Sequence, residues 1–123
     1  MFRVFTMALA GLLFALPVSA HEPRDGPHGG RLVDAGTSWH LELVATGVPE
    51  VTAYLSDAQD KPISAGGFRA QAILVVDGKA VRFALEPAAD NRLVGRAPVP
   101  VPRGVKGAVQ LTAPDGSTAQ AKF

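Results

Sequence analysis

The chain has 123 residues, no cysteine, and 12 lysines and arginines against 11 aspartates and glutamates, a formal charge of +1. The missing cysteine excludes disulfides and thiolate metal centres. Charges of both signs are interspersed, so the chain lacks the basic footprint of a nucleic-acid or anionic-lipid binder.

In chain order, Met1-Phe2-Arg3 is a short basic stretch, Val4 to Leu16 an apolar run, and Pro17-Val18-Ser19-Ala20 a group ending in small residues. This is the three-part pattern of a secretory signal, and the apolar run is shorter than the ~20 residues a membrane-spanning helix needs. Residues 1–20 are therefore expected to form a signal helix that is cleaved after Ala20, delivering a protein to the periplasm without membrane insertion. Cleavage removes Arg3, Met1 and Met7, and leaves 11 basic and 11 acidic residues. His21 then becomes the N-terminus, offering an α-amine and an imidazole on one residue. Residues 21–30 form a His/Gly/Pro-rich segment, and 31–123 suffice for one small domain with a single core.

Beyond residue 30, turn residues recur every eight to twelve positions and the segments between them alternate. Trp39, Leu41, Leu43 and Ala45 share one parity, with His40, Glu42 and Val44 on the other. Val51 to Leu55 alternates likewise. Ala70 to Val76 runs into Asp77-Gly78-Lys79, a type I′ hairpin signal, and Val81, Phe83 and Leu85 share a face of the next strand. Ala88 to Asn91 reads as a turn into Arg92 to Ala97. Residues 98–104, Pro-Val-Pro-Val-Pro-Arg-Gly, read as an extended connection or a sheet edge, because proline lacks the ladder donor. Val105 to Thr112 and Ser117 to Phe123 close the chain around Pro114-Asp115-Gly116. With no helix signal after the leader, the expected fold is all-β, a small antiparallel sandwich of immunoglobulin-like type, with a small barrel as the alternative. Its expected core holds Trp39, Leu41, Leu43, Val51, Leu55, Leu74, Val76, Phe83, Leu85 and Leu111.

All three histidines, His21, His28 and His40, lie near the exported end. If Trp39, Leu41 and Leu43 enter the core, His40 and Glu42 project together from the other face, roughly 7 Å apart at a rise of about 3.3 Å per residue. Long side chains at that separation reach one ion. Imidazole nitrogen and carboxylate oxygen suit divalent zinc, copper or nickel, and the absence of sulfur argues against soft Cu(I). His28 sits in a loop whose Gly29 and Gly30 allow close approach. The candidate metal ligands are thus His28, His40 and Glu42, with His21 as an optional further donor. Plainer roles compete with each: His28-Gly29-Gly30 as a turn into the first strand, His40 and Glu42 as a solvated strand face, and Asp34 as a hydrogen-bond acceptor for His40. Asp57, Asp60, Asp77, Asp90 and Asp115 fall in turns, where solvation is the default.

Enzyme templates are not met. Ser38 shares a parity with His40 but has no strained elbow and no oxyanion hole, and no phosphate-cradling glycine loop is present. The chain is expected not to be an enzyme.

His28-Gly29-Gly30, then His40-Leu41-Glu42-Leu43-Val44, then Val51-Thr52-Ala53-Tyr54-Leu55-Ser56-Asp57 with Lys61-Pro62-Ile63, resemble a small periplasmic module. That module accompanies heavy-metal efflux systems of the RND type, alone or joined to their membrane-fusion adaptor subunit. Asn91-Arg92-Leu93-Val94-Gly95 and Pro114-Asp115-Gly116 also fit. Gln59-Asp60-Lys61-Pro62 departs from the pattern, which carries glycine before Lys-Pro. The resemblance implies a β-rich domain that binds zinc, copper, nickel or cobalt in the periplasm, with His28, His40 and Glu42 at the matching positions and an efflux adaptor or other envelope protein as partner. Two other readings stand beside it: a structural or interaction domain without metal, and a copper carrier centred on His21.

Overall fold

The structure, a computed structural model, describes residues 22–123. Residues 1–20, the expected cleavage after Ala20, and His21 lie outside the described residues. Among the described residues nine strands run in chain order: β1 (Arg24–Asp25), β2 (Arg31–Ala35), β3 (Trp39–Val44), β4 (Val48–Asp57), β5 (Arg69–Val76), β6 (Lys79–Pro87), β7 (Arg92–Val101), β8 (Lys106–Thr112) and β9 (Thr118–Lys122). Among the described residues there is no helix.

The sandwich expectation is corrected here. The strands form one continuous antiparallel sheet in the order β2-β3-β4-β7-β6-β5-β8-β9, and β2 then pairs with β9, Ala35 opposite Ala121, closing an eight-stranded barrel. A sandwich needs two sheets with free edges, whereas here each barrel strand has a partner on both sides. Eight strands leave an interior just wide enough for side chains to fill. Small residues meet that limit: Ala35, Ala53, Ala72 and Ala121 are fully buried among Leu41, Leu55, Leu74, Leu85, Leu93 and Leu111. Every expected core residue is buried except Trp39, which is partly buried and packs edge-on against Phe68 with ring centroids 5.8 Å apart.

Local signals account for much of this. β5 and β6 bury alternate residues, as period-2 patterning requires. They are joined by Asp77 and Gly78 at φ of 51° and 75°, the paired positive values of a type I′ turn. β7 runs further than expected, through Pro98 and Pro100 to Val101, which pairs with Val48 after a register shift in β4. β6 and β7 pair only at Glu86–Val94 and Pro87–Leu93, so the proline-bearing half of β7 lies where no ladder donor toward β6 is required. The β2–β9 junction is similarly sparse. A cleft of about 650 Å³ lies along it, bounded by Glu22 and Pro23 on one side and Gln120, Lys122 and Phe123 on the other.

Candidate functional site

β3 breaks the alternation seen in β5 and β6. Leu41 and Leu43 point into the barrel, yet His40 and Glu42, on the outward face, are also buried, at 8 % and 1 % exposure. Register explains their neighbours. Across the outer face, Glu42 lies between Leu32 of β2 and Tyr54 of β4, and His40 between Asp34 and Ser56. Directly opposed side chains on one face of a sheet touch. Two segments cover this patch: the loop Gly26–Gly30 between β1 and β2, and the turn after β4 that returns through the Ser56–Pro62 bridge.

The loop is fastened by Glu42. Its Oε2 accepts hydrogen bonds from the backbone N–H of His28 at 2.8 Å and of Gly30 at 2.9 Å. Its Oε1 lies 2.7 Å from His28 Nδ1. Both carboxylate oxygens are therefore engaged by one loop. Hydrogen bonds to an ionised acceptor are about twice as strong as neutral ones. The loop closes on itself through Gly26 N–H to the Gly30 carbonyl, 2.8 Å. Gly26 packs so closely on the Glu42 side chain that a β-carbon there would overlap it. The His28 ring lies flat on Tyr54, centroids 3.6 Å apart and planes 2° from parallel. His28 remains 42 % exposed at its side chain.

His40 occupies a separate cell. Its Nδ1 lies 2.6 Å from Asp60 Oδ1, and its Nε2 lies 3.0 Å from Asp34 Oδ1. Asp60 is held in turn by Arg24 of β1, whose guanidinium reaches both carboxylate oxygens at 3.0 and 3.1 Å. The His40 hydrogen bond, seconded by the Arg24 charge, holds the Asp60 carboxyl below its ordinary value of 3.8. Asp60 adopts a φ of 63°, a left-handed conformation natural to glycine. It stands where the resembling pattern carries glycine, so that departure brings a carboxylate to His40.

The structure thus brings His28 and Glu42 into direct contact, and places His40 two positions away with different carboxylates. The two aspartates face opposite nitrogens of the His40 ring, so one ion cannot bind that imidazole together with both of them. Among the described residues, no three histidine, aspartate or glutamate side chains form a ready metal cage. A groove of about 210 Å³ opens beside His28, walled by Pro27, Leu32, Tyr54 and Pro62, with Asp60 and Asn91 at its rim. From the sequence Asp60 reads as a solvated turn residue, and no motif there points to Arg24. The one available signal was the aspartate replacing glycine before Lys61-Pro62. Asp34 lies beside His40, as one of the plainer readings has it.

Comparison with models of known families, with curated proteins and with solved structures finds no match to this chain.

Proposed function

We propose that this protein binds a divalent transition metal, zinc or copper foremost, in the periplasm, as an accessory of heavy-metal efflux or resistance and without catalysis of its own. The observation that carries the reading is the contact between His28 Nδ1 and the buried Glu42 carboxylate. Metal-ligating histidines characteristically give their second ring nitrogen to a carboxylate, which fixes the ring and raises the basicity of the donor atom. His28 has this arrangement on an exposed loop beside a groove. His40 lies on the same side of the barrel, held between Asp34 and Asp60, and His21, once freed by leader cleavage, would supply an amine and an imidazole. Borderline ions such as zinc, copper and nickel suit this donor chemistry. The efflux context rests on the resemblance of the His-Gly-Gly and His-x-Glu segments.

A second reading, an envelope interaction domain without metal, is favoured by one observation: both described imidazoles already have carboxylate partners. Calorimetric titration of the exported protein with zinc, copper, nickel and cobalt separates the two. Saturable binding that is lost in His28→Ala/His40→Ala is the expected result. Failure of each ion both to bind and to raise the melting temperature would leave the interaction domain, since a ligand specific to the native state must stabilise it.

A further inference from the structure

Resting on the metal reading, we infer that Glu42 is a positioning residue that leaves Nε2 of His28 as the metal-binding atom, and that His40 acts as a strut between strands and not as a ligand of the same ion. Glu42 has no oxygen to spare: Oε1 serves His28 Nδ1, and Oε2 serves two backbone N–H groups. Although it lines the groove beside His28, it is 1 % exposed and Gly26 packs directly on it, so it presents almost no surface to an ion. An acceptor at Nδ1 places the proton of the neutral ring on that nitrogen and the lone pair on Nε2. Tyr54 stacked beneath the ring restricts its rotation. His28 is thereby a preorganised donor whose free nitrogen is chosen by Glu42. In His40, each nitrogen faces an aspartate, from β2 on one side and from the turn after β4 on the other. That joins three segments of chain and leaves neither ring nitrogen turned to open solvent.

Glu42→Gln separates positioning from mere packing. The two backbone N–H groups require an acceptor, so the glutamine oxygen takes the Oε2 place and its NH₂ turns toward His28. Nδ1 must then accept, the proton moves to Nε2, and the donor atom is blocked. The experiment is long-range proton–nitrogen NMR on the ¹⁵N-labelled exported protein at mildly alkaline pH, without metal and then with zinc. The parent is expected to show the Nδ1–H tautomer at His28, and zinc to perturb Nε2 of His28 while leaving both nitrogens of His40 in place. Glu42→Gln is expected to show the Nε2–H tautomer and to bind zinc about 10–100-fold more weakly, the usual cost of losing a partner of a metal-ligating histidine. His40→Ala is expected to lower the melting temperature and to keep zinc affinity within a few-fold. An Nε2–H tautomer in the metal-free parent overturns the role of Glu42. Zinc at Nδ1 of His28, or equal loss of affinity in His40→Ala and His28→Ala, overturns the division of labour while leaving metal binding intact. If Glu42→Gln does not fold, the parent tautomer and the nitrogen that zinc perturbs decide. If the parent binds no zinc, the metal reading falls and with it the ligand role of Nε2, while the metal-free tautomer still decides whether Glu42 positions the ring.

Discussion

Glu42 is an acid on the outward face of a strand, yet it is almost wholly removed from water. The loop before β2 takes the place of solvent, offering two amide donors and a ring nitrogen. Glu42→Ala should therefore act on the loop more than on the barrel. It strips an acceptor from donors that cost about 1–3 kcal/mol each when left unmade. Allowing for water re-entering a surface loop, we expect a loss of roughly 2–4 kcal/mol, measured by denaturant titration. Faster amide exchange at His28 and Gly30 should accompany it. Asp60 gives a pH signature. Its folded carboxyl titrates below the ordinary value of 3.8, first because His40 hydrogen-bonds to it and then because Arg24 lies beside it. A depressed acid contributes stability above its unfolded value and loses it as pH falls through the folded one. Parent stability should therefore drop as pH descends below about 4, and Asp60→Asn should be less stable at neutral pH but flatter across that acid window. A thermal melt series from pH 3 to pH 7 measures both. Residue patterning makes the facing of His40 and Glu42 legible, because alternation assigns them to one side. It carries no information about what covers that side. The covering groups, His28 and Asp60, come from 14 and 20 positions away.

Strand β3 holds the site in place through its other face. Leu41 is fully buried in the barrel directly between the two outward residues. Leu41→Ala should cost about 2–5 kcal/mol, the range for truncating a buried leucine. A cost below half a kilocalorie per mole would mean that the leucine is not a packed core residue. Elements whose signals are local were readable in the sequence. Asp77-Gly78 gives the β5–β6 hairpin, because few residue pairs accept two positive φ values. Val81, Phe83 and Leu85 give the inward face of β6. Two elements resisted. β1 is only two residues long, too short to show a period. β7 continues through Pro98 and Pro100, where proline argued against a paired strand. Proline is tolerated there because the pairing of β6 with β7 stops before it.

At the scale of the molecule, sandwich and barrel differ in whether the strands divide into two sheets or run on as one closed sheet. Both predict short antiparallel strands, an alternating core and glycine-rich turns. Closure is decided where β2 meets β9, and no local residue signal specifies the register of two strands so far apart in the chain. Ala35 and Ala121 form that junction, and both are fully buried. Enlarging either should strain the closure. Ala121→Leu is expected to cost about 1–3 kcal/mol by overpacking, with hydrogen exchange rising first along β9 and β2 and last in the β5–β6 hairpin.

A closure made by the first and last barrel strands has a consequence for how the chain threads itself. Glu22 and Phe123 line the same cleft, so the first and last of the described residues are neighbours in space. A short Gly/Ser linker from Phe123 to Glu22, with new ends opened in the exposed turn at Asp115–Gly116, should give a circular permutant that keeps the barrel. In that permutant β9 comes before β1 and β2, so the closure at Ala35 and Ala121 becomes local. The cut separates β8 from β9, whose ladder from Ala108–Lys122 to Thr112–Thr118 becomes the longest-range pairing in the sheet. A closure made at one position is thus exchanged for one made at five, and folding slows as non-local pairing is added. The site on β3 is untouched by the cut. A stopped-flow comparison of parent and permutant should show slower folding in the permutant.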